Sequence, residues 1–206
     1  MSEVLRRSWS RIAAAFSAAL EHSSLRENLT SRYAEPRRSY HTLQHLEECL
    51  TWFEASAHLA AQPQEVEAAL WFHDAVYEPR APGNEDLSAS LAETSLVAAG
   101  ASHEAARRVA ALVLVTKHTA LPASPDEQLL VDIDLCILGA SAPRFAEYEQ
   151  QVRAEYEFVP EAVFKQKRSA ILRSFLARPR IYGTEFFYSR LEQQARINLA
   201  RSASAA

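Results

Sequence analysis

Residues 129–139 read LLVDIDLCILG, and the class of the fold turns on how they are taken. Val131, Ile133, Leu135 and Ile137 alternate with Asp132, Asp134 and Cys136, the period-two pattern of a half-buried strand. The only other strand-like run is ALVLV, residues 111–115, and a lone pair of strands among helices is a poor way to bury a sheet face. The run is therefore read as helix, and the rest of the chain agrees. Four glycines in 206 residues disfavour Gly-rich phosphate loops, dinucleotide-binding turns and multi-hairpin β architectures, all of which need positive φ. Abundant alanine favours helix.

Working outward, Val4, Leu5, Trp9, Ile12, Phe16 and Leu20 keep one face dry in a helix over about 3–22. A shorter helix over about 24–33 ends before Pro36. Leu43, Leu46, Leu50 and Phe53 form the stripe of a long helix in RRSYHTLQHLEECLTWFEASAHL. Pro63 opens the next, which is expected to carry His73 and Asp74 and to end before the loop EPRAPGNE. Asn84 reads as the N-cap of a helix over 85–99 with Gly100 as its C-cap, and Ser102 as the N-cap of one running to about 118. Further helices fall near 142–157, 161–178 and 184–200, with 201–206 a frayed tail. Without an internal repeat or low-complexity block, residues 1–206 form a single all-α domain.

A formal net charge of −4 argues against a sequence-independent grip on a nucleic-acid polymer. No stretch approaches the ~18 apolar residues of a membrane span, and the N-terminus lacks the h-region of a signal peptide. Cys49 and Cys136 lie in apolar runs and read as free core thiols of a reducing compartment. A cytoplasmic protein with no membrane partner is expected; the oligomeric state is open.

Against this apolar background stand four polar intrusions: His41 with His45, His73 with Asp74, His118, and Asp132 with Asp134. On one helix His41 and His45 share a face. Adjacent His73 and Asp74 diverge by about 100°, while Asp132 and Asp134 are about 200° apart, so one of these two faces any given site. A single such histidine is more often a hydrogen-bonded core residue, and a single buried aspartate more often a helix cap or half of an ion pair. Here, though, few Lys or Arg residues fall in the same runs, and an unpaired buried carboxylate costs several kcal/mol or takes up a proton. Two imidazoles and two carboxylates around one divalent metal would satisfy every buried charge. His22, His58 and His103 read as solvated.

The order H…HD…D resembles the HD-domain superfamily of metal-dependent phosphohydrolases. RSYHTLQHL, FHDAVY, NEDLSA, TKH, DIDLCILG and ARINL together look like a bacterial subfamily of predicted HD phosphohydrolases, over about Trp9 to Leu199. That resemblance implies an HD-like helical bundle with His45, His73, Asp74 and Asp134 as metal ligands, and Asp132 behind the site or capping a neighbour. The YHxxxH arrangement also resembles cyclic-nucleotide phosphodiesterases, which implies His41 as the general acid, although Thr42 replaces their Asn. The same comparison puts His118 beside the metal water or on a second ion.

A two-His, two-carboxylate set leaves about two positions open on a six-coordinate ion, which suits Mn, Fe, Co, Ni or Mg more than a closed structural Zn site. Glu85 is a candidate to orient the attacking water, and equally reads as a first-turn acid at the start of its helix. Arg37 and Arg38, just before the YH segment, are candidate phosphate anchors; Arg178, Arg180 and Tyr182 bracket a break and could line a pocket. The Lys165, Lys167, Arg168 and Arg173 group is a further option, though such a run is more often a solvated face. The expected activity is hydrolysis of a small phosphate ester, a nucleotide first among candidates, by a phosphomonoesterase or phosphodiesterase. The rival is a non-enzymatic binding or sensor protein in which a metal staples the core of a vestigial HD site.

Overall fold

Ser124 and Glu127 decide the ambiguous run. The Ser124 hydroxyl accepts from the backbone N–H of Glu127 at 3.2 Å, and the Glu127 carboxylate accepts from that of Ser124 at 3.2 Å, with Pro125 in the first turn. This reciprocal cap launches a helix over Pro125–Asp134, which tightens into a 3₁₀ turn over Leu135–Gly139. Residues 129–133 and 135–139 are all buried. A helix covered on every side has no polar face to reveal its 3.6-residue period, which is why its sequence imitates a strand.

The computed structural model describes residues 1–205, and among these there are ten α-helices and no strand. They are α1 (Glu3–Phe16), α2 (Leu25–Tyr33), α3 (Leu43–Ser56), α4 (Pro63–Phe72), α5 (Asn84–Ala98), α6 (His103–Val115), α7 (Pro125–Asp134), α8 (Ala142–Glu155), α9 (Glu161–Leu176) and α10 (Glu185–Ala205). Helix α4 is buried along almost its whole length and touches α1, α3, α5, α6 and α7. Around it α5 packs along α6, and α10 covers α9 and the 3₁₀ turn. One buried apolar cluster runs from Leu5 to Ala203, with Trp9 and Trp71 edge-to-face at 5.0 Å. Cys49 and Cys136 are buried and free. No helix among the described residues is long and apolar enough to cross a membrane.

Several boundaries differ from the sequence reading. The first helix stops at Phe16, where Ser17 turns extended and caps a short 3₁₀ turn. Gly83, at φ 84°, precedes α5, and the Asn84 side chain instead brackets the backbone N–H and C=O of Glu78. Ser102 caps α6 as expected, its hydroxyl accepting from Ala105 N–H at 3.2 Å. Residues 201–205 are not frayed but continue α10: Ala203 is buried, and its carbonyl accepts from the Ser169 hydroxyl at 3.1 Å. Ala206 lies outside the described residues.

Candidate metal centre

Three helix ends meet at one point. Thr42 caps α3, its hydroxyl accepting from Gln44 N–H at 3.3 Å, and thereby places His45 in the first turn. His73 follows the last residue of α4 and Asp74 lies beyond it, so the pair leaves the helix that the sequence reading assigned to it. Asp134 ends α7. His73 Nδ1 lies 2.8 Å from the carbonyl of Leu70; as the donor in that contact it leaves Nε2 for the centre.

The four side chains converge closely. His45 Nε2 and His73 Nε2 are 3.0 Å apart. Asp74 Oδ2 lies 3.0 Å from His73 Nε2 and 3.4 Å from His45 Nε2. Asp134 Oδ1 lies 3.5 Å from His45 Nε2 and 3.6 Å from His73 Nε2. Ligands about 2.1 Å from one ion stand about 3.0 Å apart at right angles and about 3.4 Å apart at tetrahedral angles, so these spacings suit a shared first-row divalent ion. Among the described residues the other buried acids have permanent partners: Glu65 pairs with Arg108, Glu67 with Arg11, Glu192 with Arg196, and Asp132 and Glu155 with backbone N–H groups. Asp74 and Asp134 have only imidazoles.

Burial works against charge throughout this cluster, yet the neighbours win. Asp74 is held well below the usual carboxylate range by His73, His41 and His45, and Asp134 likewise by His118, His45 and His73. His45 is raised well above the ordinary imidazole value by Cys49, Tyr40, Asp134 and Asp74, and His73 is raised chiefly by Asp74. Carboxylates and imidazoles here favour one another's charged forms, and a divalent ion would take over that role from the imidazole protons.

His45, Cys49 and His73 also form a group able to hold a metal ion. The Cys49 sulfur, however, is 3.7 Å from both ring nitrogens of His45. A point equidistant from both nitrogens stays about 3 Å or more from an ion on the Nε2 lone pair, against ~2.3 Å for a metal–thiolate bond. The sulfur therefore packs against the ring, and the carboxylates complete the set better.

No protein-family model, curated protein or solved structure matches the chain. The residues themselves carry the assignment of roles. Asp74 and Asp134 open onto a cavity of about 510 Å³ that His41, Glu85, Lys117, His118 and Arg178 also line. His41 precedes α3 rather than sharing a helical face with His45. Its Nδ1 lies 2.7 Å from Glu155 Oε2, the oxygen to which the Tyr77 hydroxyl donates at 2.8 Å. The other oxygen of Glu155 accepts from the backbone N–H groups of Ser39, Tyr40 and His41 at 2.9, 2.8 and 3.0 Å. Despite burial, His41, its backbone N–H and Tyr77 hold the Glu155 carboxyl at about 2, so it is an acceptor only and His41 Nδ1 must donate. His118 adopts the left-handed region at φ 53°, which costs roughly 1–2 kcal/mol, and sets its Nε2 3.0 Å from Asp134 Oδ2.

The arginines before the YH segment do not reach the cavity. Arg38 is fully buried and donates to the carbonyls of His41, Asp74 and Ala75 at 3.2, 2.6 and 3.1 Å. Arg37 lies outside, paired with Glu35 and Glu78 at 3.0 and 2.8 Å. The end of α4 leaves carbonyls without helical partners, and Arg38 satisfies those of the HD segment; that demand removes it as a phosphate anchor. Arg178 is the better candidate: it lines the cavity, lies 4.5 Å from the Phe175 ring and makes no ion pair among the described residues. Lys117 lines it too, 2.6 Å from Asp86. Arg180 instead pairs with Glu185 at 3.0 Å. Asp132 turns away and receives Gly183 N–H, Thr184 N–H and the Thr184 hydroxyl at 2.7, 2.7 and 2.6 Å, bracing the turn whose Thr184 hydroxyl caps α10. Glu155 was missed, although a signal existed: Phe145, Tyr148 and Val152 form a helical stripe that Glu155 continues into the core.

Proposed function

We propose that this protein is a cytoplasmic metal-dependent phosphohydrolase of the HD superfamily, acting on a small phosphate ester, with a nucleotide as first candidate. The observation that carries the reading is the convergence of His45, His73, Asp74 and Asp134 beside a cavity that also holds His41 on Glu155. A divalent cation in that set (Mn, Fe, Co, Ni, Mg or Zn) supplies Lewis acidity, which offsets charge gathering on a phosphoryl group and makes water more acidic. His41 donates the proton that the leaving oxygen needs, with Glu155 fixing the ring's orientation and tautomer through Nδ1. Glu85 orients the attacking water, and Arg178 and Lys117 face the phosphate charge. His118 holds Asp134 in place.

Access favours the enzyme over the metal staple. The Asp74 and Asp134 side chains are 18% and 15% exposed toward the cavity, whereas a staple would close all ligand positions with protein. Elemental analysis tests the reading, on protein as purified and after Mn²⁺ reconstitution and desalting, beside the folded variant His73→Ala/Asp74→Ala. Near-stoichiometric metal in the parent and little in the variant, with hydrolysis of phosphate esters by the parent only, is the expected result. Equal, negligible metal in both would sink it.

A further inference from the structure

Beside His41, and lined by none of the four candidate ligands, lies a second chamber of about 420 Å³ between α8 and α9. Its walls include Tyr148, Val152, Tyr156, Phe158, Phe164 and Ile171. No carboxylate, amide or aliphatic hydroxyl side chain lines it, and its cations are Lys167 and Arg168. Arg168 pairs with Glu149 and lies 5.0 Å from the Tyr148 ring, so it is already engaged. His41, Tyr148, Tyr156 and Ile171 line both chambers, which therefore adjoin at the imidazole. The polar chamber has carboxylates, histidines and cations; the other has rings.

We propose that the second chamber receives the leaving group of the substrate, and that this group is flat and aromatic, held by stacking and not by hydrogen bonds to its edges. The inference rests on the hydrolase reading above. Hydrolysis forms a P–O bond from water and breaks the P–O bond to the leaving alcohol, whose oxygen takes the proton of His41. The proton shed by the water restores that imidazole through solvent. The leaving oxygen must therefore sit at His41 with the phosphoryl group on the metal side, and the remainder of the alcohol continues past His41 into the rings. The volume is within the ~300–1,000 Å³ of ligand sites and admits a bicyclic ring. Sites that select a polar group do so with buried polar partners; here the polar groups are the Tyr148 and Tyr156 hydroxyls, Lys167 and the already engaged Arg168, with no carboxylate or amide to tell one base from another. Aromatic stacking tolerates any flat ring.

The test compares 2-naphthylmethyl phosphate with ethyl phosphate, both esters of primary alcohols, on the Mn²⁺-loaded protein. Calorimetric binding of 2-naphthylmethanol to the metal-free His73→Ala/Asp74→Ala protein is measured in parallel. A kcat/KM ratio of about 100 in favour of the aromatic ester, carried mainly by KM, is expected. Phe158→Ala and Phe164→Ala, neither fully buried, should each reduce that ratio and the alcohol's affinity about tenfold. Hydrolysis of both esters at equal kcat/KM with no alcohol binding overturns this inference and leaves the hydrolase standing. Alcohol binding weakened by the two variants, without hydrolysis of either ester, supports the aromatic chamber and overturns the hydrolase. Alcohol binding unchanged by either variant overturns the inference, because the ring then sits elsewhere.

Discussion

Replacing Glu155 with glutamine keeps the size and one accepting oxygen of the side chain but removes its charge. In the folded protein the Glu155 carboxyl is held at about 2, against an ordinary 4.5; burial opposes that, and His41, its backbone N–H and Tyr77 outweigh it. A carboxyl lowered on folding stabilises the protein above its unfolded value and loses that contribution as pH falls through the folded one. The gap between 4.5 and about 2, at about 1.4 kcal/mol per pH unit, makes a difference of about 3 kcal/mol at pH 7. At pH 3 part of the gap is already closed, and about 1–2 kcal/mol should remain. Urea unfolding followed by circular dichroism at both pH values gives the numbers directly. A Glu155→Gln difference of the same size at pH 7 and pH 3 would refute the argument, because packing changes do not titrate. The kinetic companion is sharper for unactivated alkyl esters than for p-nitrophenyl phosphate, whose leaving oxygen needs no proton.

The two neighbouring arginines should part company. Arg38→Met leaves the carbonyls of His41, Asp74 and Ala75 without a donor and should cost about 3 kcal/mol or more in denaturant unfolding, while Arg37→Ala should stay within about 0.5. Asp132→Ala should destabilise by about 2–4 kcal/mol with metal content unchanged, and Asp134→Asn should abolish metal retention with the fold intact by circular dichroism. A Cβ on Gly139 would stand 2.6 Å from Leu191 Cβ and 2.9 Å from its carbonyl oxygen, so Gly139→Ala should cost about 1–3 kcal/mol and lower Tm. Tyr40 carries a buried hydroxyl without a partner among the described residues, and Tyr40→Phe should raise Tm by about 2–4 °C.

The helices were legible because apolar stripes and caps are local facts: Ser102 and Gly100 end their helices where the sequence puts them. Asp134 was separable from Asp132 only through the family resemblance, yet the opposition of the two on a helix was readable and holds. What could not be read were long-range demands. Arg38 looks like a free cation until the carbonyls beyond α4 are seen to need donors. His41 looks helical until Thr42 takes the cap. Glu155 is 114 residues from His41 in sequence, and no local pattern joins them, although its place on the apolar stripe of α8 marks it as a buried acid in want of donors.

The meeting of helix ends at the candidate metal centre has an electrostatic consequence. Aligned peptide dipoles leave about half a negative charge at a helix C-terminus, so a carboxylate there is in the wrong place and a cation in the right one. Asp134 closes α7 and Asp74 lies just past α4, each adding a formal negative charge where its helix already supplies a partial one. At this point the side-chain charge and the helix field have the same sign, and the imidazoles of His45, His73 and His118 are what oppose them. An ion bound there would offset both termini at once, so that metal affinity would draw on the last turns of α4 and α7 as well as on four side chains.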